Sequence, residues 1–160
     1  MNQAIFTIGT AGRHDEDFIA LLKEHRIDAV IDIRLRNEGK YYRFASGKHI
    51  KALCGANGIA YRHETRFSPT GEMLDRFKAD HDWPAYDQEY RQLIAARDMP
   101  RIWQDVAGGF ERPCLLCAEK SVETCHRRLL AEAVADDMTV THIRLASGFH
   151  GALSTGSLRL

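Results

Sequence analysis

Residues 28–34 read Asp28-Ala-Val-Ile-Asp-Ile-Arg34, and the fold turns on how that run is taken. A strand with one wet face alternates apolar and polar side chains. An almost unbroken apolar run instead fits a parallel strand covered on both faces. Working outward, Ala4–Gly9 (AIFTIG) is a second β-rich run. Between them, Asp15–His25 places Phe18, Ile19, Leu21 and Leu22 at helical spacing. Strand, helix, strand in that order implies a parallel pair joined by a right-handed crossover.

The same alternation continues. Residues 48–56, with Ile50, Leu53 and Cys54, suit a helix closed by Gly58, and Ile59–His63 a strand. Arg66–Pro84, with Pro69, Gly71, Trp83 and Pro84, reads as a long excursion holding one helical turn. Helical pattern then runs from Tyr86 to Ala107, broken near Pro100 and ended by Gly108-Gly109. Arg112–Cys117 and Val140–Leu145 complete the strands, and Ser121 is the expected N-cap of a helix running to about Asp137. The expected architecture is α/β: a Rossmann-like, open, mainly parallel five-stranded sheet with helices on both faces. It forms one domain over residues 1–146, with residues 147–160, small and polar, as a loose tail.

Composition sets the class. The 160 residues suit one core, no apolar stretch reaches the ~20 residues of a membrane helix, and MNQAIFTIG lacks the basic and apolar regions of a signal peptide. A cytoplasmic protein with no membrane partner is expected. Its four cysteines are then thiols rather than disulfides. Lys plus Arg equals Asp plus Glu at 22 each, so any site for a polyanion must be local.

Three of the cysteines fall in Cys114-Leu-Leu-Cys-Ala-Glu-Lys-Ser-Val-Glu-Thr-Cys-His-Arg127. Cys114 and Cys117, three apart on a strand, point to opposite faces, and Cys125 and His126 diverge by about 100° on a helix. Neither pair suits a tetrahedral ion, and no metal or cofactor is expected. Thiol-phosphatase chemistry places an arginine six residues after the cysteine, whereas this chain has Lys120 and Glu123 at those spacings. What remains is a pocket at the carboxyl ends of the strands, where open sheets of this kind bind ligands.

The candidates for that pocket are Asp32, Glu119 and Cys125 for chemistry, with Thr10, Arg34, Arg43, Tyr61, His126 and Arg127 for ligand binding. Asp32 interrupts an apolar strand, so it needs a partner, with Arg34 two residues on; an ion pair and a functional carboxylate are both open. Glu119 follows a strand end, where it serves as a base or caps amides. Cys125 sits where helix amides favour a thiolate, or is a small buried residue. Arg127 heads a stripe with Leu130, Ala131 and Val134, so it needs acceptors, from Asp32, Glu119 or a bound phosphate. His142 is expected to be a hydrogen-bonded core histidine. Tyr41, Tyr42, Arg43 and Phe44 interleave aromatic and basic character that suits a nucleobase or simply loop packing.

The set Thr7-Ile-Gly9, Val30-Ile-Asp-Ile-Arg34, Gly58-Ile-Ala-Tyr61, Leu116-Cys-Ala-Glu119 and Cys125-His-Arg127 resembles the bacterial and archaeal domain-of-unknown-function family 488. The resemblance spans nearly the whole chain and implies a Rossmann-like fold with these motifs around one cleft. It implies no reaction. The chain departs from the family's pattern in loops: Thr10-Ala11 where His-Ser is usual, Asn37-Glu-Gly39 in place of Pro-x-Ser, and Ser68-Pro-Thr-Gly71 in place of Gly-Gly.

The expected function is a cleft for a phosphate-bearing ligand, a nucleotide or nucleic-acid end, with an enzymatic step open. The alternatives are a non-catalytic nucleic-acid-binding module and a thiol-based redox sensor acting through Cys125.

Overall fold

The computed structural model describes residues 4–39, 43–118, 121–144 and 156–159, of which Arg43 and residues 156–159 are described in their backbone alone. Strands β1 (Ala4–Gly9), β2 (Ala29–Asp32), β3 (Ala60–His63), β4 (Pro113–Cys117) and β5 (Thr139–Arg144) lie parallel in the order β3-β2-β4-β1-β5. A sixth strand, β6 (Gly156–Arg159), pairs antiparallel with β5. The small, polar composition of the tail had given no sign of it.

Every residue of β2 and β4 is buried, and their side chains divide by parity between two cores. Ile5, Ile31, Leu115, Cys117 and Val140 enter one core, beneath α3 (Gly71–Asp80), α4 (Trp83–Arg97), α5 (Met99–Ala107) and α6 (His126–Ala135). Phe6, Ile8, Val30, Cys114 and Leu116 enter the other, beneath α1 (Asp15–Glu24) and α2 (Gly47–Ala56). Cys114 and Cys117 thus face opposite sides of the sheet, as their spacing requires. The chain leaves β1 towards the α1 face and β4, its neighbour, towards the α6 face. That divergence places the topological switch point at the end of β4.

Two boundaries differ from the sequence reading. The excursion over Arg66–Pro84 holds a full ten-residue helix, α3, and the start of α4. Thr70 caps α3 by accepting the Met73 N–H at 3.1 Å, and His81 ends it in the left-handed region at φ 54°. Asp82 caps α4, with Pro84 in its first turn. The prolines that read as breakers precede or open helices, where their missing N–H costs nothing. Ser121, by contrast, does not cap: its hydroxyl donates to Glu123 Oε1 at 2.9 Å, Val122 is buried, and α6 begins at His126 with Cys125 as N-cap. The break near Pro100 falls at Asp98, left-handed at φ 53°, and Pro100 sits in the first turn of α5.

Candidate functional site

The carboxyl ends of the central strands are tied into one edge. Thr10 N–H donates to Cys117 O at 2.9 Å, Ala11 N–H to Ala118 O at 3.2 Å, and Ile33 N–H to Leu116 O at 3.0 Å. Above this edge, on the α3–α6 side, opens a cleft of about 540 Å³. Cys117, Cys125 and His126 form its floor, Leu74, Phe77 and Lys78 of α3 with Tyr86 of α4 one wall, and Arg34 and Arg36 its rim.

Beneath the floor lies a buried polar cluster. The sulfurs of Cys117 and Cys125 are 2.6 Å apart. The Arg127 guanidinium, 1% exposed, donates from Nη1 to Cys117 Sγ at 3.1 Å and from Nε to Thr7 Oγ1 at 3.2 Å. Thr7 Oγ1 is 2.7 Å from His142 Nδ1. Thr7 Oγ1 can accept from Arg127 and still either donate to or accept from His142 Nδ1, and the imidazole tautomer sets which. Burial and the nearby Arg127 push the His142 pKa down to about 4, so the ring is neutral. Burial costs the Arg127 cation solvation, but the two thiols outweigh it and hold its pKa above the ordinary arginine value. Burial, then the neighbouring Cys117 sulfur, keep the Cys125 proton in place.

A second network begins at Asp32, which is fully buried. Its carboxylate accepts Arg34 Nε at 2.9 Å, Arg34 Nη2 at 2.7 Å, the Arg34 backbone N–H at 3.2 Å, Asn37 Nδ2 at 3.1 Å and the Tyr61 hydroxyl at 2.5 Å. Burial alone would raise the carboxyl pKa; the Arg34 hydrogen bonds and charge, with Tyr61 and Asn37, bring it below the ordinary value. Arg34 Nη1 donates to Ala45 O at 2.6 Å, and His63 Nε2 donates to Arg34 O at 2.7 Å. Asp32 thereby locks β2, β3 and the loop before α2 together.

The sequence candidates therefore separate. Cys125 and His126 face the cleft, and Arg34 borders it while bound to Asp32. Arg127 lies behind the floor, where it donates to Cys117 Sγ and Thr7 Oγ1. Tyr61 serves the Asp32 network. Thr10 borders a separate depression of about 20 Å³ on the α1–α2 side, with Arg13 and Phe44. Glu119, Tyr41 and Tyr42, with residues 145–155, lie outside the described residues, as does the Arg43 side chain. Phe44 is 61% exposed. Sequence reasoning missed Cys117 as a site residue because it sought an arginine six positions on; Arg127, ten on, supplies the charge from below. Lys78 was missed with α3, and Asn37 sits in a loop with no periodicity to mark it.

His126 Nε2 donates to Ile33 O at 3.4 Å, and burial pushes its pKa down to about 4, leaving Nδ1 as an acceptor. No grouping of three or more His, Cys, Asp or Glu that could hold a metal ion occurs among the described residues. No helix among them is long and apolar enough to cross a membrane.

Comparison with known families matches residues 14–134 to the family described as Domain of unknown function DUF488. The chain belongs to the DUF488 family. The matched span holds the Asp32 network and, of the thiol cluster, Cys117, Cys125 and Arg127, while Thr7 and His142 lie outside it. A search of curated proteins finds no match.

Proposed function

We propose that the cleft binds a phosphate-bearing small molecule, a nucleotide or the end of a nucleic acid. One observation carries this reading: the amino end of α6 opens into the same space as Lys78 and Arg36. The dipole of a helix and the N–H groups at its amino end favour an anion. The volume of about 540 Å³ is that of a small-ligand pocket, and Phe77 and Tyr86 offer ring faces beside the charge. Because Arg34 and Arg127 are engaged by Asp32 and Cys117, and Arg36 at the exposed rim pairs with Asp75 at 3.5 Å, direct phosphate contact falls first to Lys78 and the amino end of α6.

Calorimetric titration with nucleoside monophosphates and pyrophosphate tests the reading. Saturable binding weakened at least about tenfold by Lys78→Glu supports it. No heat at millimolar ligand, against chain shown to be folded, removes it. Binding of oligonucleotides alone, falling steeply with salt, would favour a non-catalytic nucleic-acid module built on the exposed Phe44 loop.

A further inference from the structure

We propose that Cys117 and Cys125 are a redox-active pair, oxidised by a hydroperoxide entering the cleft to an intramolecular disulfide and restored by dithiol reductants. This inference stands on the thiol geometry and does not require the phosphate reading. The two free thiols are in direct contact, their sulfurs 2.6 Å apart. They come from the end of β4 and the N-cap of α6. Both border the cleft, which gives a small oxidant access to side chains otherwise buried.

The two sulfurs are not equivalent. The Arg127 guanidinium lies against both sulfurs, donating from Nη1 to Cys117 Sγ at 3.1 Å. Burial holds the proton on Cys125, so Cys117 is taken as the first nucleophile and Cys125 supplies the second thiol. The Cys117 thiolate attacks the hydroperoxide: an S–O bond forms, the O–O bond breaks, and the leaving alkoxide or hydroxide takes a proton from solvent. Cys117 is thereby oxidised to a sulfenic acid and the peroxide reduced to an alcohol or water. Cys125 then attacks that sulfur: the S–S bond forms, the S–O bond breaks, and the departing hydroxide leaves as water with the Cys125 proton. Overall two thiols and one hydroperoxide give a disulfide, an alcohol and water.

Cys54 and Cys114 are internal controls. Both are buried in the opposite core, and burial raises the Cys54 pKa to about 12 and that of Cys114 further. Neither borders the cleft, so no oxidant reaches them there. Lys120 lies between the paired cysteines, so trypsin separates them and a disulfide joins two peptides.

The test treats the full chain with hydrogen peroxide, alkylates the remaining thiols in denaturant with iodoacetamide, and maps the tryptic peptides with fragmentation that separates Cys114 from Cys117, which share the peptide 102–120. Two of the four thiols should be lost, the peptides bearing Cys117 and Cys125 should be joined, and dithiothreitol should restore all four. In Cys125→Ser the reaction should stop at a dimedone-reactive sulfenic acid on Cys117. Four alkylatable thiols after peroxide, or a link involving Cys54 or Cys114, would overturn the proposal. The map of the unsubstituted chain decides the matter even where a cysteine variant fails to fold.

Discussion

Arg127 Nη1 stands 3.1 Å from Cys117 Sγ, and its Nε 3.2 Å from Thr7 Oγ1, so one buried guanidinium joins β1, β4 and α6 directly under the cleft floor. Arg127→Met keeps most of the aliphatic bulk and removes the charge. Cys117 can then remain a neutral thiol, so the loss is of charged hydrogen bonds, about 1.5–3 kcal/mol, rather than the larger cost of an orphaned ion. Alkylation of Cys117 at neutral pH should slow about tenfold, the change for one pKa unit. Peptide-resolved iodoacetamide rates check this, and an unchanged rate would strip Arg127 of its part in thiol activation.

The Asp32 network is expected to reveal itself in stability. Arg34 is 4% exposed, so Asp32→Asn leaves a cation buried without its counter-charge, at a cost of about 3–5 kcal/mol. Tyr61→Phe removes one hydrogen bond to the carboxylate and should cost about 1.5–3 kcal/mol. Denaturant unfolding of both variants measures the difference. Near-equal losses would mean that Arg34 finds another acceptor.

How far these networks can be read in the sequence depends on what each contact leaves there. The strands are legible because burial on both faces forbids polar residues, and Asp32 stands out against Val30, Ile31 and Ile33 for that reason. Its neighbour Arg34 is legible too, two residues along. Asn37 is not, because a loop residue is placed by its backbone path rather than by any period. The link from Cys117 to Arg127 was obscured because the helix was expected to start near Ser121. Moving its first residue to His126 turns Arg127 into the second residue of α6, aimed back at the strand end. In the excursion before α4, Pro69 and Gly71 hid a helix whose capping signal, Thr70, was in plain view.

Acid should unfold the protein sooner than its exposed charges alone would require. His126 and His142 titrate near 6.5 in an unfolded chain and are held near 4 in the fold by burial. Between those values the unfolded chain binds the extra protons, so stability is complete above about pH 6.5 and falls as pH drops towards 4. The slope is up to about 1.4 kcal/mol per pH unit for each histidine. Asp32, whose pKa is lowered, loses its contribution in the same direction at still lower pH. Chemical denaturation at pH 7, 5.5 and 4.5 follows the loss; His142→Gln should roughly halve the slope, and a flat profile would contradict the buried neutral imidazoles.

Gly47, at the start of α2, bears on the site although it touches no ligand. A methyl group there would meet Asn37 Nδ2 at 2.4 Å and Asn37 Cγ at 2.8 Å. Asn37 cannot easily yield: its carbonyl accepts the Gly47 N–H at 2.7 Å, and its side-chain amide donates to Asp32 and to Tyr61. Gly47→Ala should therefore displace a donor from the buried carboxylate and destabilise by about 1–3 kcal/mol, as overpacking does. In the same helix a methyl on Gly55 would meet nothing within 4 Å, so Gly55→Ala should instead stabilise by about 0.5–1 kcal/mol. A double-mutant cycle separates crowding of Asn37 from any effect on the helix itself. If the clash is with Asn37, the cost of Gly47→Ala should largely disappear in an Asn37→Ala background. Additive losses would show that Gly47 acts elsewhere, and would loosen the inferred link between the amino end of α2 and Asp32.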